Sequence, residues 1–220
     1  MFHMYLGSME FIDKSVSEKR GPGATIVTAF MININYRADR NYDKYFSLAK
    51  QLLSIPINKV IFLDKSIMSY FKDYMNEYNT LVPFTKDQNY LYEYKNKLDN
   101  FELNTSNPSK DTIEYIFTMA YKTEFVRKAI ELNNYNASQF IWMDIGIKHM
   151  MDISQDDFTQ KVMRLQYLEY PLHVRIATIW NPDHHFDLDL YKDVCWCFAG
   201  SIFGGNKTSL LEFADLTKKE

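Results

Sequence analysis

The strongest constraint on the fold is a strand–helix–strand pattern between residues 24 and 63. Residues 24–34 (ATIVTAFMINI) form a nearly continuous apolar run, which is typical of a strand buried on both faces in a parallel sheet. Residues 42–54 carry apolar side chains at helical spacing, and residues 59–63 (KVIFL) form a second short strand. This order predicts a βαβ unit, in which a right-handed crossover joins two parallel strands.

The remaining sequence continues this alternation. We predict helices over residues 66–77, over residues 109–133 with Ser109 or Asp111 as N-cap, and from residue 210 onwards. We predict strands over residues 80–84, 139–143, 173–180 and 194–203, and helix plus loop over residues 86–110. Alternating strands and helices indicate a single α/β domain with a mostly parallel sheet flanked by helices. This domain would span residues 24–220, after a leader of residues 1–23 that ends in a Gly-Pro-Gly breaker.

Charge and composition exclude several classes of protein. The net charge of −3 lacks the basic excess that a nucleic-acid-binding protein needs. No stretch approaches the roughly 18 consecutive apolar residues of a transmembrane segment. The cysteines, Cys195 and Cys197, are too few for a disulfide framework, and a metal or redox pair would need C-x-x-C spacing and further ligands. We interpret them as small buried hydrophobes and expect a reducing, cytoplasmic location. Aromatic residues make up 16% of the chain, with 16 tyrosines, and we expect part of this excess to line a wet cleft.

Acidic residues follow two of the predicted strands, where ligands of open α/β sheets bind. Asp64 follows the second strand, and Asp144 follows the apolar run of residues 140–143. A carboxylate at this place can hold Mg²⁺ or Mn²⁺ against a diphosphate, because hard cations take oxygen ligands. Gly146 would let the backbone approach a ligand closely. The alternative is that Asp144 only caps the turn that follows the strand.

Two further segments contain residues that suit ligand binding. Residues 200–208 (GSIFGGNKT) run from a strand end into a helix, whose free N–H groups and Lys207 would favour an anion. Their spacing matches neither known phosphate-binding glycine motif, so a tight turn is an equal alternative. Residues 183–189 (DHHFDLD) contain a D-x-D and two histidines. We interpret this segment as a solvated loop, with one acid or histidine reaching a metal as the alternative.

Four stretches together resemble a known family. They are residues 25–30 (TIVTAF), residues 42–64 ending in KVIFLD, residues 122–146, and residues 199–205 (AGSIFGG). The third stretch is the most specific, with K-x-x-F-x-x-x-A, an Asn, and then F-x-W-x-D-x-G. This combination resembles the HtrL/YibB family, with its WlaTC-type proteins, which are proposed glycosyltransferases with a GT-A-like fold.

The resemblance implies a site for a UDP- or GDP-linked sugar and a glycan or other acceptor. The loop after the first strand would contact base and ribose, Asp64 would lie near the base, and Lys122 would lie near the diphosphate or sugar. Asp144 would take the place of the first acid of the D-x-D motif and hold Mn²⁺ or Mg²⁺. The implied donor-binding residues are Thr28, Ala29, Phe30, Asp64, Lys122, Asp144, Gly146, Gly204, Gly205 and Asn206.

Two departures from the family pattern favour an alternative function. Gly146 stands in the place of the second acid, so metal binding would need another ligand such as Asp152, Asp187 or Asp189. The chain also ends soon after its Gly-Gly pair, which favours a truncated or donor-only domain. Our main hypothesis is a metal-assisted glycosyltransferase, for which we assign no general base. The alternative is a catalytically weak α/β module that binds a nucleotide or a glycan.

Overall fold

The computed structural model describes residues 23–34, 41–98, 105, 107–169, 172–178 and 198–219. Except for Gly23, the predicted leader lies outside these residues. The segment 183–189 and both cysteines also lie outside them. The strands are β1 (Thr25–Phe30), β2 (Lys59–Asp64), β3 (Asn79–Phe84), β4 (Gln139–Met143), β5 (Arg175–Thr178) and β6 (Phe198–Asn206). The α-helices are α1 (Tyr42–Leu53), α2 (Ile113–Ala120), α3 (Lys122–Leu132), α4 (Gln155–Leu165) and α5 (Lys207–Lys219). Shorter 3₁₀ helices cover Lys65–Tyr74, Lys86–Gln88, Tyr90–Leu98 and Ile147–Met150.

The six strands form one sheet in the order β3-β2-β1-β4-β6-β5. The first four are parallel, whereas β6 runs antiparallel to both β4 and β5. The predicted α/β domain with a mostly parallel sheet is therefore confirmed. Strands β2 and β3 lie on one side of β1, whereas β4 lies on its other side. The strand order therefore reverses at β1. In open α/β sheets, ligands bind at such a switch point, outside the carboxyl ends of the strands.

Helices cover both faces of the sheet, which explains the continuous apolar runs of its strands. On one face, Ile26 and Ile61 pack with buried residues of α1 and α4. On the other face, Val27 and Phe62 pack with buried residues of α3 and α5. Adjacent residues of a strand thus enter different layers of the core. None of the helices in the described residues is long and apolar enough to cross a membrane.

The predicted single helix over residues 109–133 is wrong in two respects. It is two helices, α2 and α3, separated by Tyr121, whose backbone has φ −81° and ψ 0°. Tyr121 is buried between Phe84 and Phe125, so tertiary packing fixes the break. The N-cap is Thr112, whose hydroxyl accepts the N–H of Tyr115 at 3.1 Å, instead of Ser109 or Asp111.

Other boundaries differ from the predictions in smaller ways. The predicted helix over residues 66–77 is the 3₁₀ helix Lys65–Tyr74. Helix α4 was not predicted, although Ser154 caps it and Phe158 and Val162 are buried at i and i+4. Strand β1 ends at Phe30, and β6 continues to Asn206. These changes leave the strand order and the carboxyl edge of the sheet as described.

A buried lysine at the start of β2 gives a testable pH dependence. Lys59 is 0% exposed, its ammonium donates to the carbonyl oxygens of Ile55 and Ile57, and burial lowers its pKa from 10.5 to about 7. Between these pH values the unfolded chain binds a proton that the folded protein releases. Stability therefore rises with pH, by up to about 1.4 kcal/mol per pH unit. The free energy of unfolding, measured with urea across this pH range, should rise more steeply with pH for the wild type than for Lys59→Met. Equal slopes would contradict the prediction.

Candidate functional site

A cavity of about 440 Å³ opens at the switch point between the carboxyl ends of β1 and β4. One wall comes from the end of β1 and the residues after it, and another from the first turn of α1. The remaining walls come from α2 and from the residues after β4. Its volume lies within the range of about 300–1,000 Å³ for small-molecule sites. The fold therefore forms a ligand-sized cavity at the edge where we predicted the site.

Asp144 is the acidic side chain of this cavity. Its backbone N–H donates to the carbonyl oxygen of Ser201 at 2.9 Å, which continues the pairing of β4 with β6. Its Oδ1 accepts from Trp142 Nε1 at 2.8 Å and from Lys122 Nζ at 2.7 Å. Oδ2 has no hydrogen bond or ion pair within the described part of the chain, and the side chain is 35% exposed. One oxygen of the carboxylate is thus fixed by the protein, and the other is available to a ligand.

Lys122 holds Asp144 from behind the cavity wall. It is the first residue of α3, and its side chain is only 9% exposed. Besides Asp144, its ammonium donates to the carbonyl oxygen of Gly200 at 2.8 Å and lies 5.6 Å from the centre of the Trp142 ring. It does not line the cavity. Lys122 therefore fixes the position of Asp144 without lining the cavity itself.

A stack of aromatic rings supports the Trp142 side of the ion pair. The Trp142 ring lies 5.9 Å from that of Phe125 at an interplanar angle of 15°, and 6.4 Å from that of Phe203 at 18°. All three residues are buried. Because packing limits the movement of the indole, its N–H holds the carboxylate of Asp144 in one orientation.

The other residues predicted at the ends of β1, β2 and β4 divide into two groups. Ala29, Phe30 and Gly146 line the cavity with Asp144. Thr28 does not, because it is fully buried within the sheet. Asp64 caps the following 3₁₀ helix, with Oδ1 accepting from the N–H and hydroxyl of Ser66 at 3.0 and 2.6 Å, and lies outside the cavity lining.

The structure does not bring the Gly-Gly pair to Asp144. Gly205 and Asn206 lie opposite Phe140 and Gln139 at the start of β4, so Gly205 is roughly 13 Å along the strand from Asp144. The cause is the direction of β6, whose earlier residues Gly200 and Ser201 reach the carboxyl edge instead.

Gly204, Gly205 and Asn206 have structural roles where they lie. A Cβ on Gly204 would come within 3.0 Å of the carbonyl oxygen of Phe140, and one on Gly205 within 3.2 Å of that of His173. The two glycines therefore allow close contact between neighbouring backbones. Asn206 accepts the N–H of Ser209 at 2.9 Å and so caps α5.

Sequence reasoning missed several residues of the cavity. His149 lies on the same cavity as Asp144, because the short 3₁₀ turn after β4 folds back. Tyr42 and Tyr45 reach the cavity from α1, and Tyr115 from α2. The i, i+3 spacing of Tyr42 and Tyr45 indicates that both lie on one face of α1, near the end of the first strand. These tyrosines agree with the expectation that part of the tyrosine excess lines a cleft.

The described residues offer few ligands to a metal ion. They contain no cluster of three or more His, Cys, Asp or Glu side chains that could hold one. Asp152 is exposed and does not line the cavity, and Asp187 and Asp189 lie outside the described residues. Mg²⁺ is commonly bound through one or two carboxylates together with phosphate oxygens of the substrate. Asp144 therefore offers one free carboxylate oxygen, and a divalent cation there would need further ligands from a substrate.

Comparisons with known proteins reach only the level of the fold. No protein-family model matches the sequence, and no curated protein matches it either. Among solved structures, the chain is similar to 4-diphosphocytidyl-2C-methyl-D-erythritol synthase from Anaerococcus prevotii, with a TM-score of 0.39, 10% identity, and coverage of 89% of this chain and 73% of that chain. It is also similar to mouse xyloside xylosyltransferase 1 in its apo form, with a TM-score of 0.39, 6% identity, and coverage of 89% and 71%. Similarity at this level concerns the α/β fold alone.

Proposed function

We propose that the cavity binds a nucleoside-diphosphate sugar and that the protein transfers its sugar to a glycan or another acceptor. The observation that carries this proposal is Asp144 at the switch point, with one carboxylate oxygen held by Lys122 and Trp142 and the other available. The resemblance to the HtrL/YibB family supports the same function. In the reaction, the bond from the anomeric carbon to the diphosphate oxygen breaks, and its electron pair leaves with the nucleoside diphosphate. A bond from the anomeric carbon to an acceptor oxygen forms, and the proton of the acceptor hydroxyl passes to solvent.

The cavity walls suit the parts of such a donor. Tyr42, Tyr45 and Tyr115 line the cavity, and aromatic side chains can stack on nucleobases of any identity. Asn41 and Tyr42 bring the N-terminus of α1 to the same cavity. The helix dipole makes this end partially positive, which favours phosphate groups.

A divalent cation belongs to the proposal for an electrostatic reason. A diphosphate next to Asp144 would place negative charges together, which is unfavourable at short distance. Lys122 offsets part of the charge on Asp144 but lies behind it. We therefore infer that Asp144 holds Mn²⁺ or Mg²⁺ together with the diphosphate. When bound, the cation supplies neutralisation of the departing nucleoside diphosphate.

One observation favours the alternative, a catalytically weak module that binds a nucleotide or a glycan. Asp144 is the only carboxylate on the described lining of the cavity, and Gly146 stands where a second acid is expected. A single carboxylate provides fewer ligands for a cation than a full D-x-D motif. The same cavity could then bind a nucleotide without transferring a sugar.

A donor panel separates the two functions. We expect release of UDP or GDP from at least one nucleotide sugar in the presence of Mn²⁺ or Mg²⁺, and loss of that release when EDTA removes the metal. The measurement is nucleoside-diphosphate release in parallel with calorimetric binding of UDP and GDP. Binding without hydrolysis or transfer would favour the binding module. A folded protein that binds neither nucleotide would contradict the transferase and the nucleotide-binding form of the module.

A further inference from the structure

A second, larger concavity adjoins the Asp144 cavity. It has a volume of about 1010 Å³ and lies between α1, the 3₁₀ helix Lys65–Tyr74 and the start of α4. Tyr42 lines both spaces, so they meet at this side chain. This volume is at the upper end of the range for small-molecule sites. The second concavity, called the α1 groove below, has no role in the proposed donor site.

An aromatic ladder of Tyr42, Phe46 and Tyr70 forms one side of the α1 groove. The rings of Tyr42 and Phe46 are 6.3 Å apart at an interplanar angle of 26°, and those of Phe46 and Tyr70 are 5.1 Å apart at 21°. Tyr42 is 46% exposed and Tyr70 is 63% exposed. Neighbouring exposed aromatic rings on one surface are a feature of binding sites. Because the rings stack on one another, the faces left for a ligand are the outer ones of Tyr42 and Tyr70, and such a face matches the C–H face of a pyranose sugar.

Two residues that line the α1 groove each carry a buried polar atom without a partner. The side-chain oxygens Oε1 of Gln51 and Gln155 are inaccessible to solvent and have no hydrogen-bond partner among the described residues. A buried acceptor without a donor is destabilising, so such an atom in a native structure calls for an explanation. Because both residues line the groove, rotation of their side-chain amides would bring these oxygens to a ligand whose hydroxyl groups provide the missing donors.

The charges of the α1 groove indicate an uncharged ligand. Its lining contains one acid, Asp43, and one base, Lys50, which cancel in net charge. The other polar groups are hydroxyls and amides, including those of Ser47, Ser54 and Ser66. A lining without net charge provides no overall electrostatic attraction for a charged ligand. Neutral compounds that are rich in hydroxyl groups and have an apolar face fit the aromatic ladder, the two amides and the lack of net charge.

We propose that the α1 groove binds a neutral saccharide of more than one ring, which stacks on the aromatic ladder and donates hydroxyl hydrogen bonds to Gln51 and Gln155. That this saccharide is the acceptor of the transfer rests on the proposed function. The shared residue Tyr42 supports that role, because it places one end of the groove beside the donor cavity.

The test is a glycan array of neutral oligosaccharides, followed by calorimetry with the strongest binder. We expect Tyr70→Ala to weaken this binding by about tenfold or more, because a base stacked on an aromatic ring loses a comparable amount when the ring is removed. The matched control is Tyr94→Ala. Tyr94 is also an exposed tyrosine, at 47%, but lies outside both cavities, and its replacement should leave the affinity unchanged.

A second variant tests the amide oxygens. Gln51→Met keeps the length of the side chain and removes the unpaired oxygen, so its thermal midpoint should equal or exceed that of the wild type while saccharide affinity falls. A role in folding alone would lower the midpoint and leave the affinity unchanged, which would overturn the contribution of Gln51.

Failure of this inference is separable from failure of the proposed function. Three results would overturn the saccharide site. They are no saccharide binding by the folded wild type, equal binding by Tyr70→Ala, and displacement of the saccharide from Tyr70 by UDP or GDP. Calorimetry with UDP and GDP on Tyr70→Ala tests the donor cavity independently. Saccharide binding without any nucleotide binding would uphold the α1 groove and overturn its acceptor role.

Discussion

Replacing Asp144 with asparagine should lower kcat/KM for metal-dependent donor turnover by about 100-fold or more, with the fold retained. The asparagine oxygen can still accept from Trp142 and Lys122, so the positioning contacts at 2.8 and 2.7 Å are kept. The variant loses the negative charge, and an amide nitrogen takes the place of the oxygen available to a cation. A cation at a departing oxygen contributes several kcal/mol of transition-state stabilisation, and each 1.36 kcal/mol is about tenfold in rate.

The matched control for this variant is Asp152→Asn. Asp152 is an exposed acid close in sequence that does not line the cavity, so the same change of charge there should leave turnover unaffected. Steady-state kinetics over a series of Mn²⁺ concentrations measures both variants, with urea unfolding as the check on folding. Wild-type turnover by Asp144→Asn would mean that the carboxylate has only a structural role.

The sequence predicted those features that depend on local pattern. Strands buried on both faces require continuous apolar runs, and these located β1, β2 and β4 to within a few residues. An acid directly after such a run must lie at the carboxyl edge of the sheet. Asp144, expected there from this pattern, lines one cavity with Ala29 and Phe30, which the family resemblance implied.

The misplaced residues depend on contacts between distant parts of the chain. In the segment 199–206, the first residues and not the last lie near the site, because β6 is antiparallel to β4. Local sequence does not determine the direction of β6. The break at Tyr121 likewise follows from its packing against Phe84 and Phe125. The contact of Lys122 with Gly200 joins residues 78 positions apart. Periodicity and spacing cannot reveal such contacts.

The ion pair of Lys122 and Asp144 should respond unequally to removal of its two members. Asp144→Ala leaves an ammonium that is 9% exposed without its carboxylate, and should cost about 3 kcal/mol of unfolding free energy. Lys122→Met leaves a carboxylate that is 35% exposed, which water can solvate, and should cost only about 1 kcal/mol. In the double variant no charge is left unpaired, so it should be more stable than Asp144→Ala alone.

Urea unfolding of the four proteins in this double-mutant cycle measures the asymmetry and the coupling. Equal losses that simply add would mean that the two side chains do not interact at 2.7 Å in solution. A larger loss for Lys122→Met would mean that the lysine stabilises the fold through Gly200 or Trp142 more than through Asp144. A larger loss of stability for Asp144→Ala than for Lys122→Met would mean that Lys122, and not Asp144, bears most of the desolvation of the pair. This has a functional consequence. Asp144 then keeps enough exposure to exchange a water contact for a ligand, while the buried lysine fixes its position.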